Sequence, residues 1–218
     1  MRRGEKVLTM HGLVFRSFEG FVRSAYGDGI WKDALRSLDR CIERFEALFE
    51  YEDSLLDDLI GASARLLGKP REVLLEDFGT HLVAAPEAQR VRRLLRFGGV
   101  DYEDFLQSLE DLPGRAELAL PDISLPDLVL TDLGGGNFRL ECGKAISGGG
   151  HVLVGLLRAL ADDYGALVLL DHLGQRDERE LVGIQVLKSD FTRGRDFDLG
   201  DRSLHANMDR RRPVLPAP

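Results

Sequence analysis

DYEDFLQSLEDLPG, residues 101–114, is the most informative stretch of this sequence. Asp101 is of a residue type preferred at helix N-caps. The apolar side chains that follow recur three and four residues apart, which is the spacing of one helix face: Tyr102, Phe105, Leu106, Leu109 and Leu112. Proline and glycine interrupt helices, so the pattern predicts one helix that ends at Pro113–Gly114.

The sequence on either side of this stretch changes in character. Upstream, apolar residues repeat at helical spacing, and glycines such as Gly68 follow the predicted helix ends. Downstream, short apolar runs separated by glycine-rich or polar turns predict four strands and one long helix. The predicted strands lie at residues 128–130, 138–140, 167–170 and 181–187, and the helix follows Gly148–Gly150. The predicted fold class is therefore α+β, a helical N-terminal subdomain packed on a C-terminal four-stranded antiparallel sheet with a helix.

We expect a single domain over residues 10–200, divided into a helical subdomain (10–115) and an α/β subdomain (116–200). Residues 1–9 are predicted to be an N-terminal extension. Residues 201–218 lose apolar periodicity, which is typical of a disordered tail.

Composition excludes several classes of protein. The net charge of -8 argues against nucleic-acid binding, which needs a cationic surface. The sequence contains neither a bilayer-length apolar run nor the apolar core of a signal peptide, so we expect a cytoplasmic protein without membrane insertion. It also lacks a recognisable nucleophile motif, and we therefore do not expect an enzyme.

Five short segments, in this order and at these spacings, resemble the haem-nitric-oxide/oxygen-binding (H-NOX) family. They are MHGLV (10–14), YGDGIW (26–31), LGKP (67–70), FLQSLEDL (105–112) and VGLL (154–157). The resemblance covers the chain from Met10 to about Phe191. It implies the H-NOX fold, with a cofactor cavity between the helical half and the sheet half, and a role in signal transduction.

The sequence departs from the family at the residues that would hold haem. The resemblance places the iron-ligating histidine directly after Leu112, where this chain has Pro113, which carries no donor atom. It places the family's propionate-binding YxSxR motif at Cys142, Lys144 and Ile146, none of which matches. Since isoleucine cannot form the bidentate contact of an arginine, we expect no haem cofactor.

The resemblance also assigns a set of candidate pocket residues: Leu82, Val83, Leu109, Leu112 and Pro126. Because these side chains are apolar, we expect either an apolar small-molecule ligand or signalling through a partner such as a histidine kinase or a cyclase. One alternative is a haem-binding NO or O2 sensor that uses a substitute ligand such as His81. A second alternative is a structural interaction module with a collapsed pocket.

Two further groups have more than one interpretation. His151 and His172 are candidate metal ligands only if the fold brings them together, because their spacing matches no known site. Cys142 is a candidate redox-reactive thiol if Lys144 lowers its pKa, or else a cysteine packed in the interior.

Overall fold

The structure is a computed structural model that describes residues 9–38, 42–86, 89–119, 125–143 and 146–195. The helices are α1 (Gly12–Tyr26), α2 (Asp28–Arg36), α3 (Asp53–Leu67), α4 (Arg71–Ala84), α5 (Gln89–Arg96), α6 (Tyr102–Gln107), α7 (Leu112–Ala119) and α8 (Gly149–Tyr164). The strands are β1 (Thr9–His11), β2 (Glu50–Glu52), β3 (Leu128–Gly134), β4 (Asn137–Cys142), β5 (Leu167–Arg176) and β6 (Arg179–Lys188). Residues 1–8 and 201–218, which carry the predicted extension and tail, lie outside the described residues.

The C-terminal part is a four-stranded antiparallel sheet with the order β3-β4-β6-β5. Helix α8 packs on the buried face of this sheet, and this arrangement confirms the predicted α+β fold class. The turn between β5 and β6 is only two residues long, and Asp177 and Glu178 both have positive φ, at 50° and 65°. Two successive left-handed residues twist the chain in the sense that a tight antiparallel hairpin requires.

A second, two-stranded sheet was not predicted from the sequence. β1 pairs with β2 in antiparallel register, with Met10 opposite Tyr51. Thr9, which the prediction assigned to the N-terminal extension, belongs to this pair. Three-residue strands are too short to give a period-two pattern.

The prediction of one helix ending at Pro113 is wrong. Asp101 does cap the N-terminus, because its Oδ1 accepts a hydrogen bond from the Asp104 backbone N–H at 2.8 Å. However, α6 ends at Gln107, a 3-10 turn follows over Ser108–Asp111, and Pro113 lies in the first turn of α7. The N–H groups of a helix's first turn have no partner within the helix, so a proline in this turn costs the helix no hydrogen bond.

The buried apolar side chains form two clusters. The helical cluster is rich in aromatic residues, and its largest members are Phe15, Phe18, Phe21, Trp31, Phe45 and Phe78. The sheet cluster is mostly aliphatic and includes Leu140, Leu157, Leu160, Val182 and Ile184. Helix α4 contributes to both clusters, because Leu82 packs against the helical cluster and Val83 belongs to the sheet cluster. The subdomain boundary at residue 115 stays a prediction.

Helices α4 and α8 join the two clusters through a backbone contact at two glycines. A Cβ atom on Gly79 would overlap the carbonyl oxygen of Val152, and one on Gly155 would overlap the carbonyl oxygen of Glu76. Thr80 adds a hydrogen bond from its hydroxyl to the Gly155 carbonyl at 3.2 Å. The absence of side chains at both glycines therefore sets the distance between α4 and α8. Among the described residues, no helix is both long and apolar enough to cross a membrane.

Candidate functional site

The position that the resemblance assigns to the iron ligand lies where the 3-10 turn meets α7. Pro113 is partly buried there, and its neighbour Leu112 is buried in the sheet cluster. Leu109, one turn earlier, is 1% exposed and belongs to the same cluster. The chain thus keeps the apolar face that leads to this position and presents a proline ring at the position itself.

Cys142, at the end of β4, is a packed interior residue. Its side chain is buried in the sheet cluster, and its thiol lies 3.2 Å from the Gly143 carbonyl oxygen that accepts its hydrogen bond. Burial, with the Glu180 and Asp127 carboxylates as smaller causes, raises the pKa of Cys142 to about 12. The reactive form of cysteine is the thiolate, so the structure supports the packed interpretation over the redox interpretation. Lys144 lies outside the described residues.

Ile146 faces a different part of the molecule from Cys142. Its side chain is partly buried and packs against the helical cluster. It also lines a cavity of about 320 Å³ together with Met10, Leu56 and Ile60. Two of the three positions assigned to the propionate motif therefore contact separate apolar clusters.

The structure brings together three of the five candidate pocket residues. Val83, Leu109 and Leu112 are all buried in the sheet cluster. Leu82 packs instead against the helical cluster, and Pro126 is partly buried just before β3. None of these five residues lines the cavity beside Ile146 or either of two further cavities that Arg71 borders. His81, the substitute ligand of the haem alternative, lies in α4 with its ring 5.4 Å from the ring of Phe21.

His151 and His172 are brought together by the fold, and we call them the histidine pair. His151 lies in the first turn of α8 and His172 lies on β5, yet their ring centroids are 4.1 Å apart with an interplanar angle of 38°. The two rings are therefore in contact and tilted relative to each other. Among the described residues, no group of three His, Cys, Asp or Glu side chains is placed to hold a metal ion. The fold therefore brings the two histidines together, but the described residues around them do not form a metal site.

Each ring of the histidine pair has a carboxylate partner. His172 Nε2 lies 3.1 Å from Glu180 Oε2, and His151 Nδ1 lies 3.4 Å from Glu76 Oε1. Glu180, which is 8% exposed, also accepts hydrogen bonds from the backbone N–H groups of Gly148 (2.8 Å) and Gly150 (2.6 Å). A carboxylate at this position satisfies N–H groups that the first turn of a helix leaves unpaired.

The histidine pair borders a cavity of about 290 Å³ between α4, α8 and the β5–β6 hairpin. Its lining residues are Arg71, Glu72, Leu75, Ser147, Gly148, His151, His172, Gln175 and Glu180. Arg71 connects it to a neighbouring cavity of about 420 Å³. Sequence reasoning missed Glu76 and Glu180, because no spacing pattern relates α4 and β6 to either histidine.

At the other end of α8, charged groups surround Asp163, whose side chain is fully buried. Its carboxylate pairs with Arg92 of α5 and lies 3.6 Å from Arg195, which follows β6. Arg96 donates to the Asp163 carbonyl at 2.8 Å and stacks over the ring of Tyr164 at 4.1 Å. Helix α5 and the segment after β6 are thus held to the same end of α8.

Comparison with solved structures defines the class of fold. The chain is similar to a triple mutant of an H-NOX protein from S. oneidensis in the Fe(II) ligation state, with 17% identity and a TM-score of 0.70 over 83% of this chain and 98% of that one. It is also similar to an Fe(II) unliganded H-NOX mutant from K. algicida, with 17% identity and a TM-score of 0.68 over 84% of this chain and 99% of that one. The H-NOX-like fold predicted from the sequence is confirmed.

Sequence comparison gives the family. Residues 11–170 match the model of the haem-NO-binding family, so the chain belongs to that family. It is similar to soluble guanylate cyclases 89Da and 89Db of Drosophila melanogaster, with 22% and 21% identity over 158 residues, or 72% of this chain. The chain spans about a quarter of the length of these relatives, since the match covers 24% of each. The chain therefore contains an H-NOX sensory domain.

Proposed function

We propose that this H-NOX domain signals without haem and without catalysis of its own, through contact with a separate signalling protein. The observation that carries the proposal is Pro113, which lies in the first turn of α7 at the position assigned to the iron ligand. Proline offers no side-chain donor, and an H-NOX haem is anchored through an iron–histidine bond in the family that the chain resembles.

The other residues around the assigned haem site do not fit haem either. Ile146 provides no hydrogen bond for a propionate, and a carboxylate beside an apolar side chain is unfavourable without a partner. The buried thiol of Cys142 keeps its proton at neutral pH. His81 contacts the ring of Phe21 inside the helical half. These features support a haem-independent domain over a gas sensor that uses a substitute ligand.

Packing favours partner contact over an apolar ligand in the former haem pocket. Val83, Leu109 and Leu112 share one cluster with Leu140 and Leu157, so these side chains already have apolar neighbours. Close-packed interiors leave few spaces larger than a water molecule. The relatives named above are guanylate cyclases, and a cyclase or a histidine kinase is the partner class that we propose.

The test is the haem content of full-length protein purified from cells that are supplied with a haem precursor. We expect no Soret absorption band and a haem-to-protein ratio close to zero. The matched variant is Pro113→His/Ile146→Arg, which restores a nitrogen donor and a carboxylate-binding fork. We leave Cys142 unchanged in this variant because a tyrosine would overpack a buried position. The double variant is expected to bind more haem than wild type when haem is added.

Near-stoichiometric haem in the wild-type protein would overturn the proposal. Loss of that haem in a His81→Ala variant would then assign the substitute ligand. A concentration-dependent rise in melting temperature with long-chain apolar molecules would instead favour a ligand-binding pocket over partner contact.

A further inference from the structure

We propose that the outer face of the four-stranded sheet, which is turned away from α8, is a dimer interface between two copies of this chain. This inference goes beyond the proposed function, because it concerns a contact of the chain with its own copy and needs neither haem nor a signalling partner. It rests on the leucine side chains that are exposed on this face and on the positions of the charged side chains among them.

The alternation of burial along β6 identifies the residues of the outer face. The even-numbered residues from 180 to 186 are buried on the side of α8. Successive side chains of a strand point to opposite faces, so Leu181, Gly183 and Leu187 belong to the outer face. The cross-strand register extends this assignment to the neighbouring strands, because residues that are paired across strands share one face.

Leucine side chains make much of this face apolar. Leu169 and Leu173 of β5 are 53% and 56% exposed, and Leu187 of β6 is 49% exposed. Leu173 leans over β6, because a Cβ atom on Gly183 would meet its side chain at 3.2 Å. Leu169 is paired with Gln185, which makes Leu187 its diagonal neighbour. Clustered exposed apolar side chains are typical of surfaces that contact another protein.

The charged side chains at the middle of this face favour a second copy as the occupant. Arg139 of β4 and Asp171 of β5 are both paired with Gly183, so they lie in one cross-strand row on opposite sides of β6. Arg139 Nε lies 3.5 Å from Glu141 Oε1. Asp171 is exposed, and the described part of the chain provides no ion pair for it. The face therefore carries a positive and a negative group at matching distances from its central strand.

A two-fold axis can bring these opposite charges together. Two sheets pack face to face with aligned strands when the axis lies between them and runs parallel to β6. Each β6 then faces the β6 of the other copy, and β4 of one copy faces β5 of the other. Arg139 of each copy lies opposite Asp171 of the other, which gives two charge pairs. An axis perpendicular to the strands would instead bring like charges together at both positions.

The remaining charged groups of this face already have partners within one copy. Arg179 of β6 pairs with Asp127, and Arg176 Nε lies 3.6 Å from Asp177 Oδ2 at the hairpin turn. With the axis along β6, the two copies of Arg179 approach each other at the end of the strand. Asp127 neutralises each of them there, and the twist between aligned sheets moves the strand ends apart. The leucine side chains can therefore pack without burying an unpaired charge.

The first experiment measures the mass of the full 218-residue chain by sedimentation equilibrium over a range of concentrations. We expect a monomer–dimer equilibrium in the wild type. Leu173→Lys should raise the dissociation constant of the dimer by about tenfold or more, because it places two like charges in an apolar contact. The matched control is Leu48→Lys, which replaces a leucine that is 79% exposed in the helical half and should leave the equilibrium unchanged.

The second experiment tests the predicted orientation by charge reversal. Arg139→Asp alone and Asp171→Arg alone each place like charges at both contacts of the symmetric dimer, so we expect each variant to be monomeric where the wild type is dimeric. A mixture of the two variants places opposite charges at both contacts, and we expect the dimer to return. This recovery requires residue 139 of one copy to face residue 171 of the other.

Three outcomes would overturn the proposal. They are a wild type that stays monomeric at every concentration, a dimer that Leu173→Lys leaves unchanged, and a mixture of the charge-reversal variants that stays monomeric. The first outcome would leave this face to another protein. Circular dichroism establishes that each variant is folded. If Arg139→Asp does not fold once its contact with Glu141 is lost, the comparison of Leu173→Lys with Leu48→Lys decides.

Discussion

The two ends of α8 are held by different kinds of charge. At the N-terminal end, the anchors are the two imidazoles of the histidine pair and the carboxylates of Glu76 and Glu180. At the C-terminal end, the buried Asp163 is surrounded by arginine side chains. Imidazole changes charge near neutral pH, whereas guanidinium stays charged at every pH a protein meets.

This difference separates two roles along one helix. The arginine-held end fixes α5 and the segment after β6 to α8 at any physiological pH. The histidine-held end joins α8 to α4 through His151 and Glu76, and to β6 through the Glu180 carboxylate. One helix is therefore anchored at its two ends by chemically different clusters.

The largest effect is expected from Asp163→Ala at the arginine-held end. The substitution removes the Asp163 carboxylate from its buried ion pair with Arg92, whose side chain is 12% exposed. The free energy of unfolding should fall by about 3 kcal/mol. Urea unfolding measures it, and Asp162→Ala is the matched control because Asp162 is exposed on the same turn. Equal destabilisation by the two variants would mean that the arginine cluster adds nothing to stability.

The next effect is expected from Gly155→Ala, in the part of α8 that contacts α4. The added methyl group would overlap the Glu76 carbonyl oxygen and push the two helices apart. We expect a loss of about 2 kcal/mol in the free energy of unfolding, which is typical of overpacking. Gly20→Ala in α1 is the control, since a Cβ there meets no atom within 4 Å.

The free energy of unfolding of the Gly20→Ala control should rise by about 0.5 kcal/mol, because alanine favours a helix more than glycine does. A stabilised Gly155→Ala variant would show that α4 and α8 do not depend on a backbone contact.

The smallest effect is expected from Tyr102→Phe. Tyr102 lies in α6, and its hydroxyl contacts the middle of α8. The buried Tyr102 hydroxyl donates to the Leu157 carbonyl at 3.1 Å, and burial raises the pKa of Tyr102, so the group stays protonated. Loss of this hydrogen bond should cost about 1 kcal/mol. Tyr164→Phe is the comparison, because the Tyr164 hydroxyl bonds the Gly99 carbonyl from a partly exposed position. Thermal unfolding should rank the first variant below the second, and the reverse order would place the tighter tyrosine contact at the C-terminal end.

Residue patterns were sufficient to predict the fold class because the helical and the strand patterns of apolar residues both extend over long segments. Helices α1 and α3 extend over four turns, and the turns of the two hairpins contain glycines or the polar pair Asp177–Glu178. The β1–β2 pair has only three residues per strand and gives no such signal. The break between α6 and α7 was missed because Leu109 and Leu112 keep helical spacing through the 3-10 turn.

The candidate site was predictable only in part, and for a physical reason. Local motifs identify Pro113, Cys142 and Ile146 by position along the chain, but not the cluster that each side chain contacts. The histidine pair is formed by a helix and a strand, and its carboxylate partners come from two further elements. Contacts of this kind depend on tertiary packing, and no residue spacing along the sequence indicates them.

The carboxylate of Glu180 has a consequence for the order in which the protein folds. It accepts hydrogen bonds from the N–H groups of Gly148 and Gly150 at the start of α8. Glu180 nevertheless follows α8 in the sequence and belongs to β6, the last strand of this sheet to be synthesised. The first turn of α8 therefore gains its anionic cap only after β6 has formed. Helix formation in α8 would begin in its apolar middle and reach Gly149 last, when the hairpin of β5 and β6 closes against it.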